Sequence, residues 1–188
     1  MENKRGFSFI ETIFSVFILS VGIMGVMALL TGGLRDSMDS RDQLIAAGLA
    51  QEGIELVRNV RDNNWLQIPS SVSFDYFPDS LNENCRIDKD YVKSTEIECD
   101  QVENDFVLYN DGYFYAHAST SEATKFKRKI MLDSNSDPDS IEAYSIVTWG
   151  GNIDPFDMSN VDSACNTASK CTFTRTTLKK WGERVFSP

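Results

Sequence analysis

The sequence predicts an α+β protein in which one long N-terminal helix precedes an antiparallel β-sheet. Three observations support this prediction. No charged residue occurs from Thr12 to Leu34, and a helical pattern of apolar residues then continues to residue 65. After residue 105 the sequence consists of short segments in which apolar and polar residues alternate, separated by turn residues. The chain has 188 residues, enough for one ordinary domain and an appendage.

Composition excludes two classes of protein. The formal net charge is -10, from 28 acidic and 18 basic residues, so the chain has no broadly cationic surface for nucleic acid or anionic lipid. Apolar residues make up 41% of the chain, which is too many for a disordered protein. The mean hydropathy is slightly negative, but it averages an apolar region and polar regions that are separate along the chain.

The uncharged segment is predicted to cross a membrane. As a helix its 23 residues would be about 35 Å long, and a hydrocarbon core is about 30 Å thick. We therefore predict that residues 7–34 form the transmembrane half of the helix. A secretory signal peptide is the alternative, with Lys4 and Arg5 as its basic region. Against it, the run is long, Glu11 stands at its start and no clear A-x-A cleavage site follows.

Residues 35–65 are predicted to continue the same helix as an amphipathic half ending near Asn64. Apolar residues recur there at helical spacing, which predicts one buried face: Met38, Ile45, Leu49, Leu56 and Val60.

The remainder, residues 66–188, is predicted to be a globular head. Residues 66–105 would form a loop region, and residues 106–188 a sheet with a C-terminal disulfide region. Asn110-Asp111-Gly112 is a hairpin turn signal. The predicted strands are 106–109, 113–117, 125–132, 141–149 and 172–181, the last with Trp181 as an anchor. In the third, Phe126, Ile130 and Leu132 would share one face and Lys125, Lys127 and Lys129 the other.

The strongest motif is the stretch from Lys4 to Glu11. Basic residues before a membrane helix keep that end in the cytoplasm, so the head would lie outside. A carboxylate inside a spanning helix costs about 2.5–3.5 kcal/mol at the centre and less at the end, so Glu11 needs a partner. If the chain were cut after Gly6, the new amine of Phe7 would lie one helical turn from Glu11.

These residues resemble the type IV prepilin signature, and the stretch from Leu44 to Trp65 resembles the PilV-type minor pilins, also called type IV pilus modification proteins. The resemblance implies that residues 1–6 are a leader, cleaved between Gly6 and Phe7 by a prepilin peptidase that also N-methylates Phe7. It further implies an assembly and register role for Glu11. The fold it implies is the pilin lollipop, a long helix with an antiparallel sheet on its C-terminal half.

The function implied by the resemblance is that of a minor pilin, a non-enzymatic subunit that modifies or primes a filament. Its expected partners are other pilin subunits, the prepilin peptidase/methyltransferase, the inner-membrane assembly platform and, before assembly, the lipid bilayer. The expected location is the inner membrane, in a single pass with a cytoplasmic N-terminus, and then a cell-surface filament. The alternatives are a type II secretion pseudopilin and an anchored binding protein that never polymerises.

Four cysteines lie outside the apolar segment: Cys85, Cys99, Cys165 and Cys171. An even number beyond a membrane segment predicts disulfides, with three possible connectivities, of which local pairing is the simplest. Zinc is the alternative, but there is no C-x-x-C motif and only one histidine. That residue, His117, is predicted to be a surface or sheet histidine.

One acidic turn is a weak calcium candidate, with oxygen ligands at alternate positions: Asp133, Asn135, Asp137 and Asp139. It fails as an EF-hand, because Pro138 stands where Gly is needed and Tyr144 where a bidentate Glu is needed. A solvated hairpin turn is the competing interpretation.

The charge of the head is uneven. Residues 66–122 hold 12 acids and 3 bases, whereas residues 123–188 hold 8 acids and 9 bases. Near the C-terminus a basic patch faces only Glu183; it comprises Lys170, Arg175, Lys179, Lys180 and Arg184. A charged strand edge is the favoured interpretation, and DNA binding is unproven. No catalytic set and no phosphate-binding loop occur, so neither an enzyme nor a cofactor is expected.

Overall fold

A computed structural model describes residues 8–66, 84–88, 97–99, 106–117, 122–134, 140–150, 155 and 161–179, and every structural statement below concerns these. The chain divides into two compact units, Met1–Arg41 and Asp42–Pro188. The first unit contains the apolar segment, and the second contains the sheet and its core.

The predicted long helix is present. Helix α1 spans Phe9–Leu66. At its start, the carbonyl of Ser8 accepts hydrogen bonds from the backbone N–H groups of Glu11, at 3.0 Å, and Thr12, at 3.3 Å. The predicted first residue, Phe7, lies outside the described residues.

A five-stranded antiparallel sheet has the order β2-β1-β3-β4-β5. The strands are β1 Val107–Asn110, β2 Tyr115–Ala116, β3 Glu122–Ser134, β4 Ser140–Trp149 and β5 Cys171–Lys179, and a short helix α2 spans Val161–Ala164. The predicted α+β architecture is therefore confirmed: the second part of α1 shares its core with one face of this sheet.

Two details differ from the sequence prediction. The hairpin turn is longer than the Asn110–Gly112 signal indicates, because β1 ends at Asn110 and β2 begins only at Tyr115. Helix α2 was not predicted, since four residues are too few to show a helical period.

The core forms where α1 meets β3, β4 and β5. One cluster combines Ile54, Val57 and Val60 of α1 with Ile130 and Leu132, among others. A second cluster lies nearer the start of this part of α1 and contains Ala46, Leu49, Ala50, Leu108, Phe126, Val147 and Trp149. A third covers the opposite face of the sheet and contains Met131, Tyr144, Ile146, Val161, Cys165 and Cys171.

The buried face of α1 was predicted only in part. Leu49 and Val60 are buried as expected, whereas Met38 is 68% exposed. Small residues form much of the true face, since Ala46, Ala50 and Gly53 are all buried. Their small side chains let the helix approach the sheet closely.

Candidate functional site

The apolar segment of α1 is exposed along its whole length. Its sixteen large apolar side chains from Phe9 to Leu34 are each 51–82% exposed. This helix is long and apolar enough to span a membrane, a criterion that a signal sequence near the N-terminus also meets. Contiguous apolar surface of this size marks a lipid-facing or protein-facing site.

The hydroxyl groups inside the apolar segment are satisfied by the helix itself. Thr12 Oγ1 donates to the Phe9 carbonyl at 2.7 Å, and Ser15 Oγ donates to the Glu11 carbonyl at 2.7 Å. Ser20 and Thr31 bond backward in the same way. No water is available in a hydrocarbon core, so this internal bonding lowers the cost of placing these polar groups there.

Glu11 lies in the first turn of α1 and is exposed. The positive end of the helix dipole favours a carboxylate at this position. The predicted cleavage site, Gly6 and Phe7, lies outside the described residues, so the pairing of Glu11 with a Phe7 amine stays a prediction.

The four cysteines pair locally. Disulfides join Cys85 to Cys99 and Cys165 to Cys171. None of the four is left as a free thiol for zinc. The first disulfide lies beside β3, because Cys85 exchanges two backbone hydrogen bonds with Ile130, at 3.1 and 2.8 Å. The second closes the loop between α2 and β5.

A polar cluster, which we call the Asp88 cluster, comprises the buried residues Asp88, His117 and Arg128 together with Glu52, whose side chain is 42% exposed. Asp88 accepts from the backbone N–H of His117 through both carboxylate oxygens, at 3.1 and 3.0 Å. The Nδ1 atom of His117 lies 2.8 Å from Asp88 Oδ1, and its Nε2 atom lies 3.1 Å from the Arg128 carbonyl. The His117 side chain is only 1% exposed, so of the two predicted alternatives the surface histidine is wrong; the residue directly follows β2 of the sheet.

Arg128 links this cluster to three parts of the head. Its side chain is fully buried and donates to the Ile87 carbonyl at 2.9 Å and to the Leu49 carbonyl at 3.5 Å. Its guanidinium nitrogens lie 3.6 Å from Glu52 Oε1 and 3.7 Å from Asp88 Oδ1. The side chain therefore joins α1 and the 84–88 segment to β3.

The charges and hydrogen bonds of the cluster favour the ionised form of Asp88 and the protonated form of Arg128. Burial alone would raise the pKa of Asp88, but the hydrogen bonds and charge of His117 and the charge of Arg128 outweigh it and lower this pKa below its usual value. Burial lowers the pKa of Arg128, and the Glu52 and Asp88 carboxylates oppose that shift. A guanidinium stays protonated in proteins, so Arg128 remains a cation.

Sequence reasoning missed this cluster. Arg128 lies between two lysines, and the sequence prediction assigns it to neither face of the strand. The structure places it on the helix-facing side of β3 with Phe126 and Ile130. The alternation of the strand could have shown that Arg128 faces inward, and a basic residue in such a position needs a buried acid beside it. The partner Asp88 is 40 positions earlier in the chain, and no local pattern identifies it.

The calcium candidate is not assembled by the described residues. Asp133 lies in β3 opposite Glu142 of β4, whereas Asn135, Asp137 and Asp139 lie outside the described residues. Within the described part of the chain, no group of three or more His, Cys, Asp or Glu side chains is placed to hold a metal ion.

The basic patch is described only in part. Arg175 is exposed on β5, and its Nη1 atom lies 3.9 Å from Asp162 Oδ2. Lys179 ends the same strand, and Lys170 lies just before it, whereas Lys180, Arg184 and Trp181 lie outside the described residues. The described part of the patch therefore carries an acid of its own, and this weakens the case for a nucleic-acid surface.

Comparison with known proteins adds no family to these observations: no protein-family model, curated protein or solved structure matches this chain.

Proposed function

We propose that this protein is a minor pilin, a subunit that enters a type IV pilus-like filament through α1 and modifies or primes it. One observation carries the proposal. A carboxylate, Glu11, lies in the first turn of α1, directly before a run of 23 uncharged residues whose large apolar side chains are exposed. The same helix later supplies one side of the head core. The Gly6-Phe7 pair stands at the offset that the prepilin signature requires.

The apolar segment has a chemical role at two stages of this cycle. Before assembly, its exposed side chains lie in the lipid bilayer, where its hydroxyl groups need no water. During assembly, the same side chains exchange lipid for the apolar helices of neighbouring subunits. Such an exchange has little hydrophobic driving force of its own, so polar interactions fix the register.

Glu11 supplies that polar interaction. Its carboxylate is costly in an apolar filament core unless a cation compensates it. The amine created at Phe7 by cleavage after Gly6 is the compensating cation, contributed by a neighbouring subunit. N-methylation of this amine keeps its positive charge. In this proposal the head stays outside the cytoplasm, where its two disulfides are stable.

The first test is the mature N-terminus, measured by mass spectrometry on protein isolated from cells that hold a prepilin peptidase. We expect a chain that begins at methylated Phe7. Gly6→Ala should keep residues 1–6 attached, whereas Gly22→Ala, at a helical position with open space around it, should be processed normally. An intact Met1 in the unaltered protein would instead favour an anchored protein that never polymerises.

The second test concerns Glu11. Glu11→Gln keeps the shape of the side chain but removes its charge, and we expect loss of incorporation into sheared filaments while the membrane level of the subunit is unchanged. Asp36→Asn is the matched control, because it removes an acid just beyond the uncharged run. Equal incorporation of both variants would contradict the register role.

A further inference from the structure

The loop between β1 and β2 presents two aromatic side chains to solvent. It runs from Asp111 to Phe114, and Tyr113 is 88% exposed and Phe114 51% exposed. Both lie in the second unit, far along the chain from the exposed apolar residues of α1. Exposed aromatic side chains at one loop tip mark an interaction site more often than scattered ones do.

The backbone of this tip makes its hydrogen bonds internally. Asp111 N–H donates to the Phe114 carbonyl at 3.3 Å, and Gly112 N–H donates to Asn110 Oδ1 at 2.7 Å. The Tyr113 and Phe114 N–H groups both donate to Asp111 Oδ1, at 2.9 and 2.7 Å. All four loop N–H groups are satisfied without water, so these donors add no cost of their own when the loop enters a region of low polarity.

The base of the hairpin is fixed to the core. The Tyr115 ring meets the Phe126 ring edge-on, with 6.2 Å between centroids, and packs on the cluster that contains Ala46 and Leu49. Gly112 has φ +93°, a conformation that glycine adopts without strain. The two exposed aromatic side chains are thus presented by an ordered turn, at little further entropic cost on binding.

The tip lies at the end of the second unit where α1 enters it. Leu132 of β3 packs in the same cluster as Val60 of α1, and Phe126 packs in the same cluster as Ala46. The path from Leu132 to Phe126 along β3 therefore runs toward the same end of the head as the path from Val60 to Ala46 along α1. Further along, Lys125 pairs with Asp42. Strand β3 begins three residues beyond Lys125, about 10 Å away, where Glu122 is opposite Asn110. The loop tip extends beyond that pair.

Chain continuity limits how far this end of the head can lie from the end of the apolar segment. Asp42 follows Leu34, the last residue of the uncharged run, by eight positions. Eight residues span at most about 28 Å in any conformation. Asp42, at the end of the head that bears Tyr113 and Phe114, therefore stays within about 28 Å of Leu34.

We propose that Tyr113 and Phe114 insert into the interfacial layer of the bilayer that α1 crosses, and so hold the head against the membrane before the subunit leaves it. This inference rests on the membrane-spanning role of the apolar segment in the proposed function. Aromatic rings prefer the interfacial layer, where the ring meets acyl chains and the tyrosine hydroxyl stays hydrated.

The charged residues beside the loop tip favour a membrane surface without net charge. Asp111 and Glu122 flank the tip, and Lys125 is paired with Asp42, so no described cation beside the tip is left over for anionic lipids. The lipid partner is therefore a zwitterionic headgroup layer. Insertion should weaken when anionic lipid is added, because the acids are repelled by a negative surface.

The experiment uses the full chain, with its disulfides intact, in phosphatidylcholine vesicles. A nitroxide is attached to a cysteine at one position, and its collision rates with oxygen and with a water-soluble nickel chelate are measured. For Tyr113→Cys we expect oxygen collisions to exceed nickel collisions. The matched control is Thr177→Cys, an exposed residue at the opposite end of the sheet, where nickel collisions should dominate. Adding Phe114→Ser to the Tyr113 label should shift it toward nickel access.

A third label separates the inference from the proposed function. Gly22→Cys, in the middle of the apolar segment, reports whether that segment is in the bilayer. If its label is buried while the Tyr113 label is as nickel-accessible as the Thr177 label, insertion of the tip is overturned and the anchor stands. If the Gly22 label is also accessible to nickel, both ideas fail. Burial of the Tyr113 label only at high protein-to-lipid ratio would show a second copy as the partner and overturn the lipid assignment.

Discussion

Gly53 of α1 and Ser145 of β4 lie so close that a Cβ atom on Gly53 would overlap the Ser145 hydroxyl. The same Cβ would also come within 3.2 Å of Ile130 Cδ1. Glycine in a helix interior costs about 1 kcal/mol relative to alanine, and here it stands at the point where the helix touches the sheet. Small-residue contact, rather than a large apolar side chain, sets the spacing between α1 and the sheet.

Gly53→Ala should therefore lower the free energy of unfolding of the head by about 1–3 kcal/mol, as overpacking does elsewhere. The measurement is chemical denaturation of the purified chain, followed by near-UV circular dichroism. Gly48→Ala is the control: it has open space around it and should stabilise by up to about 1 kcal/mol. Ser145→Ala should rescue part of the loss, because it removes the overlapping hydroxyl. Additive effects of the two substitutions would contradict the contact.

Arg128→Met should destabilise the head by about 3–5 kcal/mol, because it leaves Asp88 and Glu52 without their buried cation. The control is Lys125→Met, which removes a half-exposed partner of Asp42 and should cost no more than about 1 kcal/mol. Denaturant midpoints of the two variants provide the measurement. An Arg128→Met chain as stable as the unaltered protein would show that the buried ions contribute no net stability.

The pH dependence of stability should include a contribution from Asp88. Its pKa in the folded head lies below the ordinary 3.8, so the ionised form is the one that folding favours. The contribution is fully present above the unfolded pKa and is lost as pH falls through the folded pKa. Asp88→Asn should thus cost most near neutral pH, and its difference from the unaltered protein should shrink in acid below pH 4. A constant difference across that range would refute the assignment.

The two disulfides should contribute unequally. Chain entropy predicts about 3 kcal/mol for the Cys85–Cys99 loop, with a sequence separation of 14, and about 2 kcal/mol for Cys165–Cys171, with a separation of 6. Serine pairs at each site, compared by thermal unfolding, test this order. Loss of the first pair should also speed amide exchange at Ile130, since Cys85 bonds to its backbone. A larger effect from the second pair would reverse the expectation.

The sequence pattern predicted the helix and the strand that are determined by residues close together in the chain. The charge gap before Leu34 and the periodicity after it were enough to place α1, and the alternation in residues 125–132 was enough to place most of β3. The buried helix face was harder to predict. Large apolar residues guided the prediction to Met38, whereas the sheet selects the small residues that allow close approach.

Long-range relationships in the head could not be read from the sequence. The burial of Arg128 depends on a carboxylate 40 positions earlier, and the burial of His117 on the same acid. The length of the turn that carries Tyr113 was likewise not predictable from its own residues. A turn signal at Gly112 was visible, but the length of the turn depends on the register between β1 and β2.

The contact between Arg58 and Thr176 has a consequence for how the chain matures. Arg58 Nη2 donates to Thr176 Oγ1 at 2.9 Å across a sequence separation of 118 residues. At 5–20 residues per second, translation of that interval takes on the order of 10 s. During that time the stripe of α1 that includes Val57 and Val60 has no β5 to cover it. The head is a fold of high contact order in which residues of α1, made early, pack against β5, made last. Its nascent chain is therefore exposed to aggregation during synthesis.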